Sequence, residues 1–286
     1  MKVRIRIITL LVASLCFSVA HSQQHKTGKS VNPIKDWKLG AAMYTFHTFS
    51  FPAALDKMDS AGVKYIEGMT FHKSGPALKD SLISQLSPSG IAKLKKLVKA
   101  KDLKMESIYI GGGKTIESWK KEFELAKQFG VKFVTAEPPV RMWDSIDSLA
   151  GLYGMKVAIH EHWKGVSAYW HPDSVLAAIK NHPNFGACVD LGHWPKSGID
   201  PVEGVKKLSG HIIAIHLKDI AEFNNPKLTD VTVGTGVVNF RGVFAELKKQ
   251  NFKGHIYIEK DVSNKPSNLP SVLESVKYYK QEAAKL

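Results

Sequence analysis

The feature that most constrains this 286-residue chain is an alternation of short apolar runs with longer amphipathic runs, repeated eight times. Apolar runs of this length predict buried strands, and apolar residues three or four positions apart predict helices. Strict alternation of the two indicates a parallel sheet, because each return connection is a helix. Eight repeats predict closure into a single α/β domain, the (β/α)8 or TIM barrel, which needs roughly 250 residues.

The ends of these segments carry the expected start and stop signals. Pro201 follows Asp200, which places a proline in the first turn of a helix, and Gly130 and Gly154 lie where helices should stop. The predicted strands are Leu39–Thr45, Val63–Met69, Leu103–Ile110, Val131–Ala136, Met155–His160, Gly186–Asp190, His211–Leu217 and His255–Glu259. The predicted helices are Pro52–Ala61, Ser89–Ala100, Thr115–Phe129, Val140–Leu152, Pro172–Asn181, Pro201–Leu208, Phe240–Gln250 and Ser267–Lys285.

The last four predicted strands each end at or beside a residue that can bind a divalent metal. These residues are His160, Asp190, His216 and Glu259, in the segments KVAIHEH, ACVDLGH, IAIHLKD and IYIEKD. Because the carboxyl ends of the strands of a parallel barrel meet at one rim, we expect the four side chains to point at a common centre. One histidine alone would be better explained as a structural residue. Four nitrogen or oxygen ligands at consecutive strand ends predict a divalent-metal site.

Several neighbouring residues are further candidates for the site. Glu137 ends the fourth strand before two prolines, and we interpret it as a fifth metal ligand, a catalytic carboxylate or a solvated loop residue. His162 shares a strand face with His160, and Lys218 shares one with His216. His193 lies three residues after Asp190. We predict that His162, His193 and Lys218 bind substrate or support the ligands.

Aromatic and glycine residues near the strand ends have weaker interpretations. Trp194, like Trp163 and Trp143, is predicted in a loop at the rim, where an aromatic ring can stack on a sugar. We assign Trp194 to substrate binding, although single tryptophans are often packing residues. Gly234 and Gly236, in VGTGVVNF, predict a tight loop and not a dinucleotide site, because no strand–GxGxxG–helix unit surrounds them.

The N-terminus has the pattern of a secretory signal. Met1–Ser22 begins with three basic residues, continues with an apolar run and ends at the small-x-small sequence Ala20-His21-Ser22. The apolar run is short for a membrane span, so we expect no stable membrane anchor. The alternative is a buried N-terminal helix. We predict a signal peptide at residues 1–22, a flexible leader at 23–36, a barrel at 37–286 and a secreted, periplasmic protein.

Charge and cysteine content exclude some classes of function. The formal net charge is +14, and removal of three basic residues with the signal leaves 14 − 3 = +11. The lysines are spread over predicted helix faces, and no arginine-rich patch alternates with aromatic residues, so we expect no nucleic-acid partner. Removal of the signal also removes Cys16. Cys188 then has no partner for an internal disulfide and is predicted to be a core thiol.

At these residues the chain resembles the sugar phosphate isomerase/epimerase family, whose barrel is xylose isomerase-like. The segments that carry the resemblance are VAIHEHW, CVDLGHWPKSGIDPVEGVKKL, IAIHLKDI, VGTGVVNF and IYIEKD, within a similarity that runs from Trp37 to the C-terminus. The resemblance implies a xylose isomerase-like TIM barrel that holds Mn²⁺, Co²⁺, Mg²⁺ or Zn²⁺. It places Asp190, His216 and Glu259 at ligand positions. Ketose 3-epimerases of the superfamily have a glutamate where this chain has His160, so two-glutamate epimerisation lacks one base unless Glu137 supplies it.

The resemblance implies a sugar isomerase or epimerase. Such an enzyme abstracts a proton next to a metal-bound carbonyl of a small carbohydrate, with Glu259 and Glu137 as catalytic carboxylates. A lyase or hydratase acting on 3-keto sugars or 3-keto-glycosides is the alternative, favoured by the missing glutamate and by export. An alternative of another class is an exported sugar-binding protein that kept the metal site. The sugar, the metal and the oligomeric state are left open by the sequence.

Overall fold

Eight parallel strands close into a barrel in the part of the chain that the computed structural model describes, residues 33–262 and 264–286. The barrel strands are β1 (Lys38–Ala42), β2 (Tyr65–Met69), β3 (Lys104–Tyr109), β4 (Phe133–Ala136), β5 (Lys156–His160), β6 (Phe185–Asp190), β7 (Ile212–Leu217) and β10 (His255–Ile258). Each barrel strand pairs with the next along the chain, and β10 closes the ring against β1. Two short strands, β8 (Asp219–Ile220) and β9 (Asp230–Val231), form an antiparallel ribbon after β7. The predicted TIM barrel is confirmed.

Helices connect the barrel strands and pack on their outer faces. They are α1 (Phe51–Ser60), α2 (Pro88–Ala100), α3 (Ile116–Phe129), α4 (Trp143–Tyr153), α5 (Pro172–Ile179), α6 (His193–Lys196), α7 (Pro201–Lys207), α8 (Phe240–Lys249) and α9 (Leu269–Ala283). Asp200 caps α7 by accepting a hydrogen bond from the Val202 backbone N–H at 2.7 Å. Gly130 and Gly154 end α3 and α4 in the left-handed conformation, as their positions in the sequence predict. The four-residue helix α6 is not predicted by the sequence pattern.

Strand side chains alternate between two apolar regions. The larger lies between the strands and the surrounding helices. The smaller lies inside the barrel and consists of Ala42, Phe133, Ala158, Cys188, Ala214 and Tyr257. Ala158, Cys188 and Ala214 each lie two residues before a predicted metal ligand, so the ligand side chains also point into the barrel. Cys188 is a buried free thiol, and burial raises its pKa to about 12.

The predicted signal peptide, Met1–Ser22, lies outside the described residues, as do residues 23–32 of the predicted leader. Pro33–Asp36 forms one 3-10 turn. The Trp37 Nε1–H donates a hydrogen bond to the Phe252 carbonyl at 2.9 Å, which ties the start of β1 to the turn between α8 and β10. Within residues 33–262 and 264–286, no helix is long and apolar enough to cross a membrane.

The loop that contains Gly234 and Gly236 is built around one buried carboxylate. Asp219 accepts hydrogen bonds from the backbone N–H groups of Gly234, Gly236 and Val238 at 3.0, 2.8 and 3.2 Å. A Cβ at position 236 would lie 2.1 Å from the Ile220 carbonyl oxygen, so only glycine fits there. The glycine motif is therefore a tight loop, as predicted, and its role is structural.

A charged cluster fills the end of the barrel opposite the predicted ligands. β3 carries one extra residue, Glu106, where its register with β2 shifts. The Glu106 carboxylate lies 3.1 Å from Lys38 Nζ, 2.8 Å from Lys132 Nζ and 3.0 Å from His255 Nε2. Burial raises the pKa of Glu106, but hydrogen bonds from Lys132 and Lys38 lower it more, to about 2. Burial, followed by the charge of Lys38, lowers the pKa of His255 to about 4.

These shifts predict how stability depends on pH. A carboxyl whose pKa is lower in the folded state contributes stability that is present above its ordinary value of 4.5 and lost as the pH falls towards 2. We expect Glu106→Gln to lower the free energy of unfolding at pH 7 by about 1–3 kcal/mol and to flatten the loss of stability between about pH 5 and 3. Urea unfolding at a series of pH values measures both effects. Identical pH slopes for the variant and the wild type would contradict the assignment.

Candidate functional site

The four predicted ligands meet at the carboxyl-terminal end of the barrel. His160 and Asp190 are the last residues of β5 and β6, His216 is the last but one of β7, and Glu259 directly follows β10. One nitrogen or oxygen atom from each lies within 4.8 Å of one from every other, and all four side chains are buried. The structure therefore brings together the residues that the strand ends single out. We call these four residues the ligand cluster.

The ligand cluster contains several buried polar atoms that make no hydrogen bond. Both ring nitrogens of His160 are in this state, whereas Nδ1 of His216 and Oδ2 of Asp190 have only ion-pair contacts, with Glu259 and Lys218. Leaving such atoms buried and unbonded is costly, so their convergence indicates that they serve a ligand. Nitrogen and carboxylate oxygen donors in a set of four suit a divalent cation such as Zn²⁺ or Mn²⁺. The donor set thus fits the metal that the sequence predicts.

The turn after β6 holds Asp190 in place. Asp190 Oδ1 accepts hydrogen bonds from the backbone N–H groups of Gly192 and His193, both at 2.9 Å. These bonds leave Oδ2 directed towards the ligand cluster, 3.5 Å from His160 Nε2. Burial raises the pKa of Asp190, but the charges of His193 and Lys218 outweigh burial, so the net pKa lies well below its usual range. Asp190 is therefore an anion at neutral pH.

Protons and a metal would compete for the histidines of the ligand cluster. Burial lowers the pKa of His216, but the neighbouring Cys188 and the carboxylates of Glu259 and Glu67 raise it to a net value well above the ordinary one. His216 Nδ1 lies 2.8 Å from Glu259 Oε2 and 3.8 Å from Asp190 Oδ2. A metal can take this nitrogen only after it loses its proton, so metal binding at the site should release protons.

Lys218 places a buried positive charge beside the ligand cluster. Its Nζ lies 3.0 Å from Asp190 Oδ2, 3.0 Å from Glu259 Oε2 and 2.8 Å from Asp261 Oδ1. Burial lowers the pKa of Lys218, but these three carboxylates raise it to a net value well above the ordinary one. Lys218 therefore stays an ammonium group. It could donate hydrogen bonds to a substrate oxygen at the same place.

Glu137 lies next to the ligand cluster but is bound to other residues. Its Oε1 is 2.5 Å from His162 Nδ1, and its Oε2 accepts a hydrogen bond from Ser167 at 2.5 Å. Oε1 is also 3.8 Å from His160 Nδ1. Burial raises the pKa of Glu137, but the nearby His160 ring and the hydrogen bonds from His162 and Ser167 lower it to a net value far below normal. Glu137, His160 and His162 also form a second group whose possible ligand atoms lie within 4.8 Å of one another, so the role of Glu137 as a fifth ligand stays a prediction.

His162 and His193 lie together at the edge of the same cavity. Their rings stack with centroids 4.8 Å apart and planes 28° apart. Because His162 Nδ1 faces Glu137, its Nε2 is the ring nitrogen left for a ligand. Burial lowers the pKa of His193 to a net value well below normal, so this ring is neutral and cannot act as a cation towards substrate.

A cavity of about 460 Å³ opens above the ligand cluster. It is lined by His160, His162, His193, Lys218 and Glu259 from the predicted set, together with Glu67, Tyr109, Trp163 and Asp261. This volume suits a small organic ligand. Burial raises the pKa of Tyr109 well above normal, so its phenol remains a neutral donor.

The structure corrects one predicted substrate-binding residue. Trp194 is fully buried in the main hydrophobic core, and its ring packs against Gly204, where an added Cβ would lie 2.5 Å from a ring carbon. The helix α6 turns this side chain away from the rim, so Trp194 cannot stack on a substrate. Trp163 lines the cavity instead and lies 5.2 Å from the His193 ring.

Glu67 and Asp261 belong to the site but are not singled out by the sequence pattern. Glu67 is a buried residue of β2, and its Oε2 lies 2.8 Å from His216 Nε2. The signal for it in the sequence is a charged residue in the middle of the apolar run YIEGM. Asp261 follows Glu259 by two residues and therefore shares its face, a clue that the same alternation rule could have supplied.

Comparison with known proteins agrees with this geometry. A family model described as a xylose isomerase-like TIM barrel matches residues 55–283. This chain belongs to that family. The predicted family resemblance is thus confirmed over most of the barrel.

The curated relatives that match are enzymes. One is an inosose dehydratase from Clostridium botulinum (strain Alaska E43 / Type E3), 29% identical over 157 residues, which are 49% of this chain and 52% of the relative. The match therefore spans about half of the length of the relative. The relatives are named as enzymes and not as sugar-binding proteins, so this comparison favours the enzyme alternative.

Solved structures match nearly the whole barrel. An uncharacterised protein from Parabacteroides distasonis ATCC 8503 is 34% identical and covers 86% of this chain and 99% of its own, with a TM-score of 0.69. A xylose isomerase-like TIM barrel protein from Mycobacterium smegmatis, solved in complex with magnesium, is 16% identical and covers 87% of this chain and 97% of its own, with a TM-score of 0.68. At that identity the second likeness shows the fold alone.

The ligand cluster predicts that metal content depends on individual side chains. We expect Asp190→Ala and His216→Ala to lose most of the divalent metal that the wild type retains, because each change removes one of four converging donors. Elemental analysis after dialysis measures this. His182→Ala is the matched control, because His182 is a buried histidine outside the cluster that bonds to the Ala178 carbonyl and Asp144. Full metal occupancy in both site variants would rule the cluster out.

Proposed function

We propose that this protein is a divalent-metal-dependent enzyme that removes a proton next to a carbonyl of an uncharged carbohydrate and then expels a substituent from the adjacent carbon, as a dehydratase or lyase. The observation that carries the proposal is the position of two different proton-transfer groups at one cavity. Glu259 is a carboxylate of the ligand cluster, and His162 is an imidazole held by Glu137. Glu259 supplies one of the four converging ligand atoms, and His162 lines the same cavity.

The ligand cluster supplies the binding part of this mechanism. His160, Asp190, His216 and Glu259 would hold the ion at the floor of the cavity. When bound, a divalent ion supplies Lewis-acid stabilisation of negative charge on a carbonyl oxygen. The Lys218 ammonium, fixed by Asp190 and Asp261, supplies a further positive charge to substrate oxygens at the same floor.

The two proton-transfer groups would have unequal tasks. Glu259 is an anion that lines the cavity and can accept the proton from carbon, as the sequence predicts. His162 keeps Nε2 for the substrate while its Nδ1–H is held by Glu137, an arrangement in which a carboxylate orients an imidazole and stabilises its protonated form. Such an imidazole can deliver a proton to a departing oxygen. A reaction in which one group takes a proton from carbon and the other gives a proton to a leaving group fits this unequal pair. An exchange of protons between two equivalent carboxylates fits it less well.

The charges around the cavity favour an uncharged substrate. Glu67, Glu259 and Asp261 line it, and among its described lining residues Lys218 is the one lysine or arginine. Asp190 of the ligand cluster adds a further negative charge, so even with a divalent ion bound the site has no excess of positive charge for a phosphate or carboxylate. Keto-sugars and keto-glycosides therefore fit the site better than sugar phosphates do.

Exchange with solvent tests the reaction class. After reconstitution with Mn²⁺, Co²⁺, Mg²⁺ or Zn²⁺, the protein is incubated in D₂O with keto-sugars and 3-keto-glycosides and followed by NMR. We expect release of water or of the glycoside's leaving group, together with deuterium on carbon in the product or recovered substrate. Deuterium in an intact, rearranged sugar would assign isomerisation or epimerisation instead. Turnover without any carbon-bound deuterium would contradict proton abstraction.

Glu137 offers a sharper test of the proton-transfer pair. Glu137→Gln keeps the shape and an acceptor for the His162 Nδ1–H but removes the negative charge beside this imidazole. We expect the rate to fall on the order of 10²–10⁴-fold with metal content unchanged. Ser167→Ala is the control, because it removes the other hydrogen bond to Glu137 and leaves the His162 contact, and its loss should be far smaller. Wild-type activity in Glu137→Gln would remove the pair from the mechanism.

We also propose that the enzyme is exported to the periplasm. The support is the basic start, apolar run and small-x-small site of Met1–Ser22. The intact mass of the protein recovered from a periplasmic fraction should correspond to a chain that begins at Gln23. A full-length mass in the cytosolic fraction would contradict export.

A further inference from the structure

A carboxylate from the opposite side of the barrel contacts one of the predicted ligands. Glu67 lies in β2, and His216 lies in β7, which β10 and β1 separate from β2 around the ring. Glu67 Oε2 is 2.8 Å from His216 Nε2, and both side chains are buried. This contact engages Nε2 with a carboxylate acceptor on the side of the ring that faces away from the other ligands, so we assign Nε2 as the donor in it.

We propose that Glu67 is a positioning residue of the ligand cluster: it fixes His216 with its proton on Nε2 and its Nδ1 lone pair directed at the metal position. The inference deepens the proposed function and rests on it. Nδ1 is the atom that faces the other ligands, 2.8 Å from Glu259 Oε2 and 3.8 Å from Asp190 Oδ2. A carboxylate behind a ligating histidine sets the ring orientation and makes the ring a stronger donor to a cation.

The barrel holds Glu67 itself in a defined orientation. Glu67 Oε1 accepts a hydrogen bond from Thr135 Oγ1 at 2.5 Å and lies 3.3 Å from Ser107 Oγ. Ser107 Oγ is also 2.9 Å from the hydroxyl of Tyr257 in β10. The register between β2 and β3 shifts between Ile66 and Glu67, an irregularity of the kind that re-aims side chains near functional sites. Side chains from three other strands, β3, β4 and β7, thus contact this one carboxylate, and Tyr257 of β10 is linked to it through Ser107.

The barrel also contains a pair of the same kind that can serve as a control. At the opposite end, His255 Nε2 lies 3.0 Å from Glu106 Oε2. Neither residue belongs to a group of side chains in the described part of the chain that could hold a metal. If Glu67 were only a buried partner for a histidine, Glu67→Gln and Glu106→Gln would affect metal binding equally. If Glu67 positions a ligand, only Glu67→Gln will weaken metal binding.

The experiment measures Zn²⁺ and Co²⁺ affinity of the full chain by competition with a chromophoric chelator. We expect Glu67→Gln to weaken binding about 10–100-fold, whereas Glu106→Gln changes it less than about 3-fold. We also expect the visible absorption of bound Co²⁺ to change in the first variant and not in the second, because only the first alters a ligand's orientation. Equal affinities and equal spectra in both variants would overturn the inference.

A second variant keeps the test decisive if Glu67→Gln does not fold by circular dichroism. Thr135→Val has the same shape and removes the hydrogen bond that holds the other oxygen of Glu67. It should weaken Co²⁺ binding by a smaller factor and shift the Co²⁺ spectrum in the same direction. An unchanged affinity and spectrum would count against the inference.

The outcomes separate this inference from the proposed function. A wild type that binds metal while Glu67→Gln binds it equally well overturns the role of Glu67 and leaves the proposed function standing. A wild type that binds metal through Glu67 but shows no proton abstraction from any keto-sugar supports the inference and contradicts the proposed reaction. A wild type that binds neither ion overturns both.

Discussion

The site depends on the ammonium group of Lys218, which lies within 3.0 Å of three carboxylates at the end of the barrel. Asp190 and Glu259 are buried anions, and each would be strongly destabilised without a nearby positive charge. Without these carboxylates, the buried Lys218 would not keep its positive charge either. The lysine and the carboxylates therefore stabilise each other's charged forms, and the ligand cluster keeps its negative charge while it is buried.

The alternation of strand side chains explains how so many polar groups can be buried together. In β5, β6 and β7 the residue that points inward one step below each ligand is Ala158, Cys188 or Ala214, all of them small. Small side chains there leave space beneath the ligands, and Glu67 reaches His216 across it. The barrel interior thus has a charged cluster at one end, a thin apolar layer, and a polar site at the other end. A packed apolar interior would have excluded the residue that orients His216.

Much of this architecture follows from the sequence because it depends on local patterns. All eight predicted barrel strands overlap the observed ones, since a short apolar run bounded by turn residues has few alternatives in an alternating chain. The ligand cluster follows from strand ends meeting at one rim. Trp194 was misplaced because the helix α6, too short to show a period, decides where its ring points. The sequence pattern does not predict the role of Glu67, because that role depends on a contact across the barrel with His216, which is far from Glu67 along the chain.

The carboxylates at the site fall into two groups according to the residues that they contact. Asp190, Glu259 and Glu67 are tied to cations or to ligand histidines, and Glu137 is tied to His162. Bonding to Glu137 engages Nδ1 of His162 and leaves Nε2 as the ring nitrogen available to a ligand. Replacing the fifth-strand glutamate of ketose 3-epimerases by His160 therefore does more than change a ligand. It removes one carboxylate from the cavity, and in the function proposed above the imidazole–carboxylate pair of His162 and Glu137 is the second proton carrier, which is our physical reason for proposing elimination.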